Sequence, residues 1–227
     1  MKLPFKIHKD GYFFIAIFIV VSALVSCLVS SSLGWICAII TIWCVLFFRD
    51  PERVTPVNEN YVISPADGVV QKIEEVSAPS ELAMKDATKR VRISIFLSLF
   101  DVHVNRIPIS GTVSQIKYIA GKFFYAALDK ASEHNERNYV VVTLKNGKNI
   151  IFTQIAGIAA RRILYTVRKG QKVSAGERYG LIRFGSRMDV YLPKGEVPKV
   201  VEGQRVIAGE TVLSILGNKS AIKGEVR

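Results

Sequence analysis

The 227-residue chain has few of the side chains from which catalytic centres are usually built: three histidines, three cysteines and two tryptophans. Cys27, Cys37 and Cys44 all lie within one apolar run, so no thiol remains elsewhere for a disulfide or a metal site. There they read as small packing residues. Beyond the first ten residues the only imidazoles are His103 and His134. No HExxH, CxxC or paired histidine occurs, which excludes the common zinc centres, and the lack of GxGxxG or a Walker loop leaves no nucleotide site. Ser186 is not framed by G-x-S-x-G, so a nucleophile elbow is excluded. No motif of interleaved basic and aromatic residues speaks for nucleic acid.

One stretch lacks charge altogether. From Gly11 to Phe48 there is neither a charged side chain nor a histidine. A single helix of that length would extend ~57 Å, about twice the ~30 Å hydrocarbon core of a bilayer. Ser30-Ser31-Ser32-Leu33-Gly34, near the middle, is the segment polar and flexible enough to turn. The expectation is a hairpin of two short helices, Tyr12 to Val29 and Leu33 to Phe48, either spanning the bilayer or dipping into it. A secretory signal peptide has a far shorter apolar region. Lys2, Lys6 and Lys9 precede the run, and Arg49 and Arg53 follow it, so both ends are expected on the cytoplasmic side of a cell (inner) membrane. Of the 31 Lys and Arg against 19 Asp and Glu, all but Lys2, Lys6, Lys9 and Asp10 fall after the run. Beside an anchor, that surplus suits anionic lipid headgroups.

Residues 49 to 227 are dominated by β-branched and apolar alternation, as in RVRISIFLSL, YVVVTL and NIIFTQI, and Asn146-Gly147 is a hairpin turn signal. Helical periodicity is confined to the neighbourhood of Gly157 to Val167. VRKGQKVSAGERYGLI from Val167 and VVEGQRVIAGETVLSI from Val200 agree at eight of sixteen positions, offset by 33 residues. The fold is expected to be mainly β behind an N-terminal α-helical hairpin, and the echo is either generic turn punctuation or the mark of a pseudo-symmetric β-sandwich of barrel-sandwich-hybrid type like that of biotinyl and lipoyl carriers. The expected domains are the membrane hairpin, 1–48, and a soluble domain, 49–227.

In FLSLFDVHVNRIP, strand alternation sets Phe100, Val102 and Val104 on one face and Asp101, His103 and Asn105 on the other. A polar Asp-His-Asn face is hard to read as core, and His103 is the leading acid-base candidate. His134, in KASEHNERNYV, is weaker, although Asn135, Glu136, Arg137 and Asn138 beside it can line a polar site. Asp67 in SPADGVV reads as turn chemistry or as an acid that orients a histidine. Gly185-Ser186 falls at the end of the strand that closes the first repeat unit, flanked by Arg183 and Arg187.

SPADG at 64 to 68, FDVHVNR at 100 to 106 and RFGS at 183 to 186, behind a hydrophobic hairpin, resemble the short form of the phosphatidylserine decarboxylases along nearly the whole chain. The resemblance implies a proenzyme that cuts itself between Gly185 and Ser186. The two products, 1–185 and 186–227, would stay together as a heterodimer, and Ser186 would become a covalent pyruvoyl group. That group would form a Schiff base with phosphatidylserine in an anionic membrane and yield phosphatidylethanolamine, with no metal and no nucleotide. Ser186, His103 and Asp67 are then the catalytic candidates, and Arg183 and Arg187 the candidates for the lipid phosphate. In longer members a second histidine stands where Arg106 falls here, so the division of labour between cleavage and decarboxylation stays open, as does any higher oligomer. A membrane-anchored Ser-His-Asp hydrolase would instead keep Ser186 intact. A lipoyl-like carrier needs an exposed hairpin lysine, typically flanked by Met, and here Met188 is next to Asp189.

Overall fold

A computed structural model describes residues 5–84, 89–124, 134–157, 162–183, 186–222 and 224. Strand β1 (Lys6–Ile7) leads into helices α1 (Gly11–Leu28) and α2 (Ser31–Phe47), and β2 (Arg49–Asp50) returns to pair with β1. The hairpin turns at Val29 and Ser30, earlier than the serine run suggests. Tertiary packing moves the boundary: a Cβ on Gly34 would lie 2.5 Å from Cβ of Ser26, so the helices touch where both residues are small. Ser22 and Thr41 add an interhelical hydrogen bond of 3.0 Å. By length and composition α1 is long and apolar enough to cross a membrane, while α2 is slightly shorter.

Apart from one 3-10 turn at Ser80–Leu82, the regular structure of the remaining described residues is β. In chain order the strands are β3 (Tyr61–Ile63), β4 (Gly68–Ser77), β5 (Lys89–Leu97), β6 (Val104–Arg106), β7 (Gly111–Ile119), β8 (Arg137–Thr143), β9 (Asn149–Ala156) and β10 (Ile163–Tyr165). They are followed by β11 (Lys172–Val173), β12 (Arg178–Ile182), β13 (Ser186–Leu192), β14 (Arg205–Val206) and β15 (Val212–Ile215). One curled antiparallel sheet runs β11-β7-β8-β9-β13-β5-β4-β14, and the shorter sheets β10-β12-β6 and β15-β3 complete the sandwich. Asn146-Gly147 makes the β8–β9 turn, with Gly147 at φ 79°. The helical expectation near Gly157 to Val167 is corrected: Ile163–Tyr165 is strand β10, held by β12, and residues 158–161 lie outside the described set.

The repeat is structural. Lys172–Val173 and Arg205–Val206, 33 residues apart, are β11 and β14 at opposite edges of the large sheet. Their main-chain bonds correspond one for one. Val113 donates to Gln171 and Gly170 to Val113, just as Val70 donates to Gln204 and Gly203 to Val70. Gly176 donates to Ile107 as Gly209 does to Ser64, and both glycines take positive φ, 82° and 78°. The expected pseudo-symmetry thus pairs the two units through β7 and β4.

Inner-face residues recur with period two. Ile93, Ile95 and Leu97 of β5, Val140 and Val142 of β8, and Met188, Val190 and Leu192 of β13 form the main core. A second cluster matters more for function. Ile15, Cys44, Phe47 and Phe48 of the hairpin pack with Val102, Val104 and Leu181, so the helices rest on β6 and β12. Val104 of β6 pairs with Leu181 of β12, so His103, just before β6, and Ile182, from which the chain leads to Ser186, lie at the same end of these strands.

Candidate active site

Ser186 opens β13, between β5 and β9, opposite Leu97 and Ala156. It is fully buried, and among the described residues its Oγ has no hydrogen-bond partner. A buried hydroxyl without a partner costs roughly 1–3 kcal/mol, and such exceptions call for a reason, of which chemistry is one. Gly185, the other half of the expected cleavage site, lies outside the described residues.

His103 immediately precedes β6. Its carbonyl accepts from the Ile182 N–H at 3.4 Å, at the end of β12, so it faces the chain four residues before Ser186. The ring is completely buried, lies 4.1 Å from the Phe47 ring centre to centre, and has Nδ1 2.9 Å from the Asp101 carbonyl. A carbonyl only accepts, so Nδ1 carries the hydrogen and Nε2 is the basic nitrogen. Burial pushes the pKa down to about 4 against the opposing pull of Asp101, which holds the imidazole neutral at pH 7 and able to take a proton.

The sign of the stability effect follows. The unfolded chain takes up this proton near pH 6.5 and the folded one only near pH 4, so stability is lost as pH falls through that interval. Acidification from pH 7 to 4 should cost roughly 3 kcal/mol through this residue alone. Urea unfolding of the wild type and of His103→Asn at both pH values should show that component as the difference between them.

The acids are arranged differently from the expected relay. Asp67 binds Arg53 through Oδ2 (2.7 Å) and the Ala208 N–H through Oδ1 (2.8 Å), and burial raises its pKa. The main chain of Asp101 occupies the orienting position at Nδ1. The Asp101 carboxylate meanwhile holds the Ser98 N–H and Oγ, at 2.8 and 2.7 Å, and pairs with Arg205. Asp67 and His103 nonetheless share Asp101 and Arg49 as electrostatic neighbours. Arg106 donates to the carbonyls of Gly176 and Pro51, both at 2.8 Å, and so clamps the linker to the sandwich.

The arginine pair divides. Arg183 lies over the Phe14 ring, 5.2 Å from its centre, with Asp10 at 3.9 Å, at the base of the hairpin. Arg187 is buried on the opposite face of β13 from Ser186 and gives Nε and Nη2 to the two oxygens of Asp189, at 2.7 and 2.8 Å. The two arginines have no described neighbour in common. His134 is exposed, but Asn135 next to it is buried and donates to the Ala156 carbonyl at 2.7 Å, beside Ser186.

Two kinds of residue escaped sequence reasoning. Gln154 is buried and bridges Asn105 and Asn138, at 2.9 and 3.1 Å. It is the polar member of the Ile150, Phe152, Gln154 face, and that break in the apolar alternation was the available signal. Phe47 gave none, because nothing in an apolar helix announces which aromatic ring will cover a histidine.

The family model described as phosphatidylserine decarboxylase matches residues 40–214. The chain belongs to the phosphatidylserine decarboxylase family. It is 51% identical over 226 residues to a phosphatidylserine decarboxylase proenzyme of Paramagnetospirillum magneticum, covering 99% of this chain and 93% of that one. It is also 50% identical to the proenzyme of Rickettsia rickettsii, over 94% of this chain and 91% of that one. The match to the phosphatidylserine decarboxylases thus takes in the end of α2, the His103 segment and all of β13. Among the described residues, no group of three or more His, Cys, Asp or Glu could hold a metal ion.

Proposed function

We propose that this chain converts phosphatidylserine to phosphatidylethanolamine and carbon dioxide with a pyruvoyl group made from its own Ser186. The observation that carries the reading is the buried Oγ of Ser186, without a partner among the described residues, at a strand start in a member of this family.

The group is made in steps whose atoms balance. Ser186 Oγ gives its proton to a base and attacks the Gly185 carbonyl, and the amide becomes an ester as the Ser186 nitrogen leaves and is protonated. Loss of the α-proton expels the Gly185 carboxylate and leaves dehydroalanine. Its enamine tautomerises to the imine, and water releases ammonia to give the ketone. Glycine offers the least steric obstruction to the first attack. His103, neutral and with Nε2 unprotonated, is the base that supports both proton removals.

The site suits the product because Ser186 Oγ has no partner among the described residues, so its loss strands no donor or acceptor there. Once formed, the pyruvoyl group would supply a carbonyl that captures the substrate amine and takes up the electrons released as the carboxylate leaves. The chain's own residues bind and move protons around it. Arg183 is the proposed phosphate ligand, since tight binding of the departing carboxylate would oppose its loss. Arg187 is not, because Asp189 already holds its fork. His103 or a water it positions returns the proton to the decarboxylated carbon.

The hairpin keeps the enzyme on the membrane that holds its lipid, with the β domain on the cytoplasmic face, and the two processed chains stay together through β13 between β5 and β9. The direct test is carbon dioxide release from carboxyl-labelled phosphatidylserine in detergent micelles. Turnover should be abolished by borohydride added with substrate, with lipid fixed to the 186–227 fragment. No release, or release untouched by borohydride, would contradict the proposal.

A further inference from the structure

The turn Ser98-Leu99-Phe100-Asp101 joins β5 to the His103 segment and presents its two apolar side chains to solvent. Leu99 is 41% and Phe100 74% exposed, at the tip of a turn that is tightly held. The Asp101 carboxylate binds the Ser98 N–H and Oγ, and the Asp101 N–H returns to the Ser98 carbonyl at 3.1 Å. A loose turn would fold such side chains away. This one fixes them outward.

The turn is continuous with the base of the hairpin. Arg49, the second residue after α2, gives Nη1 to the Leu46 carbonyl in the last turn of that helix and Nη2 to the Phe100 carbonyl, both at 2.6 Å. One guanidinium therefore ties the helix end to the turn. Val102 and Val104, just beyond it, pack against Ile15, Phe47 and Phe48. Arg205 pairs with Asp101 and keeps its side chain 67% exposed, so two arginines flank the apolar tip. Two exposed apolar side chains rimmed by cations match the chemistry of an anionic lipid interface, where apolar groups enter the acyl boundary and arginines meet phosphates.

We infer that Leu99 and Phe100 form a second membrane contact, a wedge that inserts into the anionic leaflet beside the hairpin and holds the His103 segment against the lipid surface. The inference rests on the reading of the hairpin as a bilayer anchor and extends it. Substrate then passes from the leaflet to the site along the His103 side of the hairpin base, without the sandwich lifting away.

The test uses the full chain on vesicles of phosphatidylcholine and phosphatidylserine with acyl chains brominated near the glycerol. Phe100→Trp, in a Trp35→Phe and Trp43→Phe background, should be quenched by the brominated lipid and shielded from aqueous iodide. The native Trp35 and Trp43 report the hairpin separately. If they are quenched while the residue at 100 is reached only by iodide, the wedge is wrong and the anchor stands. If neither is quenched, the anchor reading fails and the wedge with it. A Leu99→Ser, Phe100→Ser double variant should raise the vesicle concentration needed for half-maximal turnover by about ten-fold, and an unchanged value would overturn the inference.

Discussion

Ser186→Ala is expected to remain a single 25.2 kDa chain and to release no carbon dioxide from phosphatidylserine. The variant should fold, because Ser186 Oγ has no hydrogen bond to lose among the described residues and Leu97 and Ala156 flank it through the main chain, which alanine keeps. Its stability should therefore lie within about 1 kcal/mol of the wild type. Activity should fall by at least roughly a million-fold, to background, because both the nucleophile and the carbonyl it becomes are gone. Denaturing gels with a carbon dioxide assay check both halves. An alanine variant that is cut normally would rule out the proposed bond.

The second large effect is expected at His103. His103→Ala should slow self-cleavage by roughly 10²–10⁴-fold, the usual contribution of a positioned base. The variant also removes the ring beneath Phe47, so some loss of stability accompanies it. His103→Gln fills more of that space and separates the two contributions: a base is missing in both variants, a packing partner chiefly in the alanine one. Cleavage should be followed from synthesis onward, and turnover measured on whatever fraction matures. Slow cleavage with turnover per mature molecule unchanged would assign the imidazole to processing alone. Normal cleavage without turnover would assign it to decarboxylation alone.

The surroundings of His103 fit the role proposed for it in self-cleavage. Its ring is enclosed by Phe47, its Nδ1 faces a carbonyl that fixes the tautomer, and the charged groups near it, Asp101 and Arg49, oppose each other. Burial then decides the outcome, which is a neutral base. The wall that enforces this belongs to the end of a helix whose other residues read as a membrane anchor.

The architecture was legible in the chain wherever the signal was local. The 33-residue echo between Val167 and Val200 reappears as matching hydrogen bonds through Gly170 and Gly203, because a glycine turn of fixed handedness is written in a few neighbouring residues. Asn146-Gly147 turned as expected for the same reason. Local pattern failed where distant packing decides. The hairpin turns at Val29 because Gly34 meets Ser26, and Ile163–Tyr165 is a strand because β12 lies beside it.

The same limit applies to the site. Scarcity and alternation made His103 a candidate and the family resemblance made Ser186 one, while alternation alone made Arg187 look available to substrate, when Asp189, two residues on and on the same face, takes its fork. Asp67 read as the acid behind the histidine because SPADG is a turn with one carboxylate, yet Arg53 and Ala208 hold that carboxylate and the Asp101 carbonyl meets the ring. Which acceptor meets a buried nitrogen depends on how three loops close, and no sequence periodicity encodes that.

The most direct test of self-processing at Gly185-Ser186 is the intact mass of the purified wild-type protein. The prediction is two fragments, residues 1–185 and 186–227, the smaller lighter by one ammonia than the same peptide with an amino-terminal serine and closed to amino-terminal sequencing. A single uncut chain of 25.2 kDa that still decarboxylates phosphatidylserine would contradict it.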